Sequence, residues 1–248
     1  MKIARIAVVL TLTSVSALAQ NTPRDPAAIL SATRDALGGE KKLGAVKTIV
    51  AAGRTQQVRG NNLVPIEFEI SIELPDKYLR KNEIPAQESG PSAEGFNGDT
   101  LLQTKAATVK QDFARLMLGM FASSFSGYPL TFTYIGQAEA PQGKADVLEA
   151  KGAQNTMRIF IAQDTHLPIM VSWQAPPAPP ARGGPPPAAG TPPAAPQESR
   201  LYFADYRDVD GMKWPFRLRR ALGADTVEET TFDRFRINSR IDAKKFQP

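Results

Sequence analysis

The sequence predicts an α+β protein that is mainly antiparallel β: one curved sheet of about ten strands with one major helix inserted. Three observations predict it. Apolar and polar residues alternate with period two, most clearly in PIEFEISIEL, where Ile66, Phe68, Ile70, Ile72 and Leu74 point one way and Glu67, Glu69, Ser71 and Glu73 the other. Only ATVKQDFARLMLGMFASSF carries a long helical stripe, with Val109, Phe113, Leu116, Met117, Met120 and Phe121 at spacings of three and four. The alternating stretches are short and closely spaced, which favours hairpins over parallel βαβ units.

The elements follow in order. DPAAILSATRDALGG reads as a short helix, with Asp25 able to cap it, Pro26 at the first position and Gly38-Gly39 ending it. A second short turn, EKKLGAVK, leads to a first strand, KTIVAAGRTQQVRG, closed by Gly60-Asn61-Asn62 in a hairpin with PIEFEISIEL. Pro75-Asp76 turns the chain into KYLRKNEI. EGFNGDTLLQ brings a loop at Asn97-Gly98-Asp99 and then a strand edge before the long helix. Strands resume at LTFTYIGQAEA, KADVLEAKG, TMRIFIAQD and LPIMVSWQA. A hairpin through Asp210-Gly211 and a last strand near VEETTFDRFRIN complete the sheet. In that hairpin Met212, Trp214, Phe216 and Leu218 alternate with Lys213, Pro215, Arg217 and Arg219, giving one bulky apolar face.

Two segments stand outside this pattern. Residues 1–19 read as an export signal: Lys2 and Arg5, the apolar run IAVVLTLTSVSAL, then small residues Ala17 and Ala19 before Gln20. The run is short for a bilayer span, so cleavage near Ala19 is expected over retention as an anchor, leaving no stable membrane span. Residues 20–248 then form a single domain. Ala175–Gln197 holds ten of the 21 prolines, which rules out a ladder or a helix there. A disordered proline-rich loop between two strands is expected, either a tolerated insertion or a docking arm for an envelope protein.

Most catalytic chemistry is excluded by what the chain lacks. With no cysteine there is no thiol nucleophile, no disulfide and no lipid-attachment cysteine. The single histidine, His166 in QDTHLPI, reads as a turn residue, and no G-x-S-x-G elbow accompanies it. No Walker lysine motif or G-x-G-x-x-G occurs. Asp205, Asp208 and Asp210 resemble part of a calcium loop but lack its remaining ligands, so a hairpin tip is the simpler account. No cofactor and no metal are expected. The net charge of +5 comes from scattered basic residues without a block of like charges, which reads as a solvated face rather than a nucleic-acid or phospholipid patch.

What remains is apolar surface. The helix offers Phe113, Met117, Met120 and Phe121, and the strands offer Phe68, Ile70, Trp214 and Phe216. One helix ~10 Å across covers only part of a sheet whose strands lie ~4.8 Å apart. Either the sheet curls until its inner side chains meet, or a cleft is left for a ligand.

LGGEKKLGAVKTI, LPDKYLRKN, GFNGD, QDTHLPI, YFADYRDVDGMKWPFRL and INSRIDAKKFQP occur in this order. Together they resemble the LolA-like outer-membrane lipoprotein-sorting and lipid-carrier superfamily of bacterial envelopes, over most of residues 30–248 outside the proline-rich segment. The resemblance implies an incomplete β-barrel with helices in its concave side. It also implies a periplasmic, non-enzymatic carrier or binder of lipid or lipoprotein acyl chains. By position it places Phe113, Met117, Met120, Phe121, Trp214 and Phe216 near the proposed cavity, and with Phe68 and Ile70 from the apolar strand face these are the candidate ligand-binding residues. The alternative is an envelope protein–protein interaction module with a dry barrel core and a proline-rich docking loop.

Overall fold

The computed structural model describes residues 24–85, 87, 90–103, 108–140, 143–153, 156–175 and 196–247. The expected signal segment, with its cleavage point, and residues 176–195 of the proline-rich segment lie outside them. Among the described residues twelve strands form one antiparallel sheet: β1 (Thr48–Arg59), β2 (Asn62–Glu73), β3 (Lys77–Glu83), β4 (Ser92–Asn97), β5 (Thr100–Leu102), β6 (Thr131–Ala140), β7 (Gly143–Lys151), β8 (Thr156–Ala162), β9 (Pro168–Ala175), β10 (Gln197–Val209), β11 (Met212–Leu222) and β12 (Asp225–Ile237). Three helices accompany it: α1 (Pro26–Leu37), α2 (Glu40–Gly44) and α3 (Thr108–Phe121).

The strand order is β5-β4-β3-β2-β1-β12-β11-β10-β9-β8-β7-β6. Each neighbour is the next strand in the chain, except where β1 meets β12 at the centre. Among the described residues β5 and β6 are unpaired on their outer sides, so the sheet is unclosed. The count exceeds the expected ten because EGFNGDTLLQ holds two short strands: Asn97 pairs with Thr100 across a Gly98-Asp99 turn, with Gly98 at positive φ.

Local chemistry explains the ends of the elements. Asp25 caps α1, its carboxylate accepting from the Ala27 N–H at 3.0 Å. Asp210 and Gly211 both have positive φ, the geometry of a primed two-residue hairpin turn. Asp208 accepts from the Gly211 N–H at 2.9 Å and Asp205 pairs with Arg207, so two of the three carboxylates of DYRDVDG serve the hairpin, while Asp210 supplies its turn backbone. His166, at φ 56°, turns the chain between β8 and β9 and donates its N–H to the Ala162 carbonyl at 2.9 Å.

Bulges bend the sheet. Ala52 pairs with Arg234 and Gly53 with Phe232, so Asp233 is an extra residue in β12. Gly53 is required there, because a Cβ would collide with the Thr231 carbonyl. The extra residue reverses the in-out alternation, and Phe232 and Phe235, three apart, both face the core.

β2 turns Ile66, Phe68, Ile70 and Ile72 inward as expected, but its other face is not wet throughout. Ser71 is only 2% exposed, because the C-terminal turn Ala243–Phe246 folds back over it. Phe246 packs with Leu79 and Leu102 in a small second core, and Lys245 Nζ donates to Glu69 at 2.7 Å.

Candidate functional site: the inner face and its hollows

The central helix does more than lay one stripe on the sheet. From Phe113 to Phe121 every residue of α3 is buried, so this half of the helix is enclosed on all sides. Phe113 lies against Tyr78, Phe96 and Tyr128, with ring centres 5.5, 5.2 and 5.5 Å away. Phe121 meets Trp214 edge-on at 5.5 Å, and Trp214 stacks on Phe235 at 5.4 Å. Phe216 and Phe232 also pack on Phe235, and Phe68 on Phe232. Burial raises the pKa of the Tyr78 hydroxyl, and pushes that of Tyr128 up to about 12.

The eight sequence-selected residues therefore come together in one buried cluster, none more than 6% exposed. Phe68, Phe121, Trp214 and Phe216 are joined through Phe232 and Phe235, which the sequence reading missed. FDRF breaks the period of two, and that break was the available signal for the bulge that turns both rings inward.

Space remains beside α3. One hollow, of about 270 Å³, lies between the Val109, Asp112 and Leu116 side of the helix and strands β2, β3 and β10–β12. Ile70, the one member of the eight that lines it, shares its apolar wall with Leu201, Leu218 and Phe232. The rest of this hollow is polar, since β3, β11 and β12 each carry a charge on the inner face at this end. Arg80 donates to Thr55 Oγ1 at 3.0 Å and lies 4.0 Å from Glu228. Arg220 continues the inward row of Trp214, Phe216 and Leu218 and reaches Asp112 at 3.5 Å. Glu94 completes the acidic groups lining the hollow.

Arg115 is the unexpected charge on the helix. It is 8% exposed, stacks 4.2 Å over the Trp173 ring and donates to Asp112 at 2.8 Å. Desolvation holds its pKa below the usual arginine value. Among the described residues the buried Nε atoms of Arg115 and Arg220 have no acceptor, nor has Trp214 Nε1.

A larger hollow, of about 650 Å³, lies between the two open edges of the sheet. Leu101 of β5 and the Gly98-Asp99 turn form one side; Tyr128, Pro129 and Leu130 before β6 and Met157 of β8 form the other; Lys110, Gln111 and Ala114 of α3 line it as well. Among the described residues no group of acidic or histidine side chains is arranged to hold a metal ion, and no helix is long and apolar enough to cross a membrane.

No family model and no curated protein matches the chain. Its likeness to solved structures is extensive. A LolA superfamily protein from Nitrosomonas europaea superposes with a TM-score of 0.56 at 13% identity, over 90% of this chain and 97% of that one. A domain from Vibrio parahaemolyticus described as an outer membrane lipoprotein-sorting protein gives 0.54 at 9% identity, over 90% and 97%. A DUF1329 family protein from Desulfovibrio piger gives 0.51 at 10% identity, over 90% and 98%. An unclosed antiparallel sheet matched nearly end to end gives this chain the fold of the LolA superfamily.

Proposed function

We propose that the chain is an exported, non-enzymatic binder or carrier of lipid or lipoprotein acyl chains, working in the periplasm of the bacterial cell envelope. The observation that carries this reading is the pair of hollows left on either side of α3 within an unclosed sheet. The larger falls within the ~300–1,000 Å³ usual for small-ligand sites. Its lining is mixed, with Leu101, Tyr128, Pro129, Leu130 and Met157 offering an apolar wall for a hydrocarbon tail and Asp76, Asp99 and Lys110 charge, while the smaller hollow, part apolar and part charged, suits the polar end of an amphiphile. Ile70 touches such a ligand directly. Of the other seven candidates, Phe113, Met117, Met120 and Phe121 belong to α3 and Phe68, Trp214 and Phe216 lie in the same buried cluster, so a ligand reaches them only when the helix gives way. Burying ten methylenes contributes ~8 kcal/mol before ordering costs, enough for holding a cargo that still leaves. The lipoprotein-sorting description of one structural neighbour supports the same class.

The test is direct. Protein purified from an envelope fraction is examined by native mass spectrometry for co-purified lipid, then titrated with a fluorescent long-chain fatty acid while the Tm is followed. Retained lipid, or a Tm that rises with amphiphile, is expected. Bare protein with no response of Tm or tryptophan fluorescence overturns the proposal.

The dense packing of the eight candidate side chains favours a second reading, an envelope interaction module on a dry scaffold. Deleting Ala175–Gln197 separates the two. Loss of a partner in pull-down with amphiphile binding intact supports the module.

A further inference from the structure

The hairpin of β1 and β2 extends past both of its neighbours. The last pair that β1 makes with β12 is Gln57–Glu228, and the last that β2 makes with β3 is Glu67–Glu83. Beyond these, among the described residues, the two strands pair only with each other, through Val58–Leu63 and Arg59–Asn62, around a turn at Gly60-Asn61. The result is a two-stranded finger projecting from the sheet.

Its tip is apolar where solvent would favour polar groups. Three large apolar side chains among the described residues are more than a third exposed, and two of them, Leu63 at 67% and Val58 at 40%, are on this tip. They are direct cross-strand partners, so they form a single patch on one face. From Thr55 to Ile66 the only charged residue is Arg59, whose Nε donates to Gln57 Oε1 at 2.8 Å. An isolated exposed apolar residue needs no explanation, but a pair on a projecting tip beside one cation and no acid marks a contact surface. Gln57, at the base of the finger, also lines the smaller hollow. The finger therefore rises beside this hollow, with Val58 and Leu63 on the opposite face of the hairpin from Gln57.

We propose that this finger is a membrane-contact tip, with Leu63 and Val58 entering the interfacial layer of a bilayer and Arg59 pairing with a lipid phosphate. The proposal extends the acyl-chain reading, since it supplies the step at which a lipid passes between bilayer and hollow. The apolar pair fits the headgroup–acyl boundary and the arginine the anionic surface above it.

The experiment is sedimentation of the full chain with phosphatidylglycerol–phosphatidylethanolamine vesicles, with phosphatidylcholine vesicles as the uncharged comparison. Wild-type protein is expected to partition onto the anionic vesicles. Leu63→Asp is expected to lower that partition at least about tenfold, and Arg59→Gln about fivefold. Both side chains are exposed, so Tm and binding of a detergent-solubilised fatty acid stay at wild-type levels. Wild-type protein that ignores vesicles, or Leu63→Asp that sediments like wild type, overturns the proposal. Vesicle binding without fatty-acid binding sinks the carrier reading and leaves the finger standing; fatty-acid binding without vesicle binding does the reverse.

Discussion

Gly119 of α3 rests against the ring of Phe203 on β10 with no room between them: a Cβ on Gly119 would lie inside the 3.0 Å limit of ordinary contact with three ring atoms. This contact sets how deeply the helix sits. Gly119→Ala forces α3 or the ring to move, and a loss of about 1–3 kcal/mol in denaturant unfolding is expected. If ligand entry requires the helix to give way, the same variant binds a fluorescent fatty acid more tightly than wild type despite its lower stability. Unchanged stability would mean that Phe203 turns aside freely.

Trp214 is 1% exposed between Phe121 and Phe235, and its indole N–H has no acceptor. Trp214→Phe keeps a ring there and removes a buried donor without an acceptor among the described residues, which offsets part of the cavity cost of the smaller ring, so thermal unfolding should show a loss of no more than about 1 kcal/mol. Trp214→Ala opens a cavity and is expected to cost about 3–5 kcal/mol.

Asp112 is the one carboxylate shared by Arg115 and Arg220, at 2.8 and 3.5 Å. Asp112→Asn leaves both guanidinium groups without their counter-charge, and a loss of about 1–3 kcal/mol is expected in chemical denaturation. Adding Arg115→Met should restore part of it, because the buried charge then leaves together with the need to pair it. A double variant no more stable than the single one would assign Arg115's role to its stacking on Trp173 alone.

The hydrogen bond from Lys245 holds the Glu69 carboxyl below its ordinary value of 4.5, with help from the charges of Lys245, Arg236 and Lys81. A depressed carboxylate stabilises the fold fully above about pH 4.5 and loses that contribution as pH falls through its folded value. Both side chains are about one-third exposed, so the effect is small, under about 1 kcal/mol. It should be local. The protection of the amides of residues 243–247 against hydrogen exchange, relative to the intrinsic rate at each pH, is expected to fall below pH 4.5 in wild type and to be low and unchanged over that range in Glu69→Gln.

Much of the fold was legible because alternation in a strand reports a buried face directly. Ile66, Phe68, Ile70 and Ile72 on β2, and Met212, Trp214, Phe216 and Leu218 on β11, all face the core. The short strand β4 escaped because SAEGFN shows no clear period, whereas β5 follows the Asn97-Gly98-Asp99 loop where a strand edge was expected. The inward turn of Phe235 escaped because a single extra residue, Asp233, inverts the parity of the strand after it. The candidate residues were legible as a group, but their packing was not. Stripe counting gave α3 one apolar face, whereas the folded chain encloses it on every side, including Arg115. Nor could the pattern show that Arg220 and Arg80 place charge on the inner face, since a basic residue at a strand end reads as solvated until its neighbours are known.

The seam between β1 and β12 ties residues far apart in the chain: the Lys47 N–H donates to Asn238 Oδ1 across 191 positions. Such distant closure makes for slow folding, because the loop entropy is lost before the contacts repay it. During synthesis β1 emerges long before its partner, so a two-part intermediate must wait with a raw strand border in the middle of its greasiest region. A chain cut short of residue 225 never heals that border, and the other half-made chains nearby would be its readiest substitute. Lesions at the carboxyl end should therefore surface first as inclusion bodies or proteolysis.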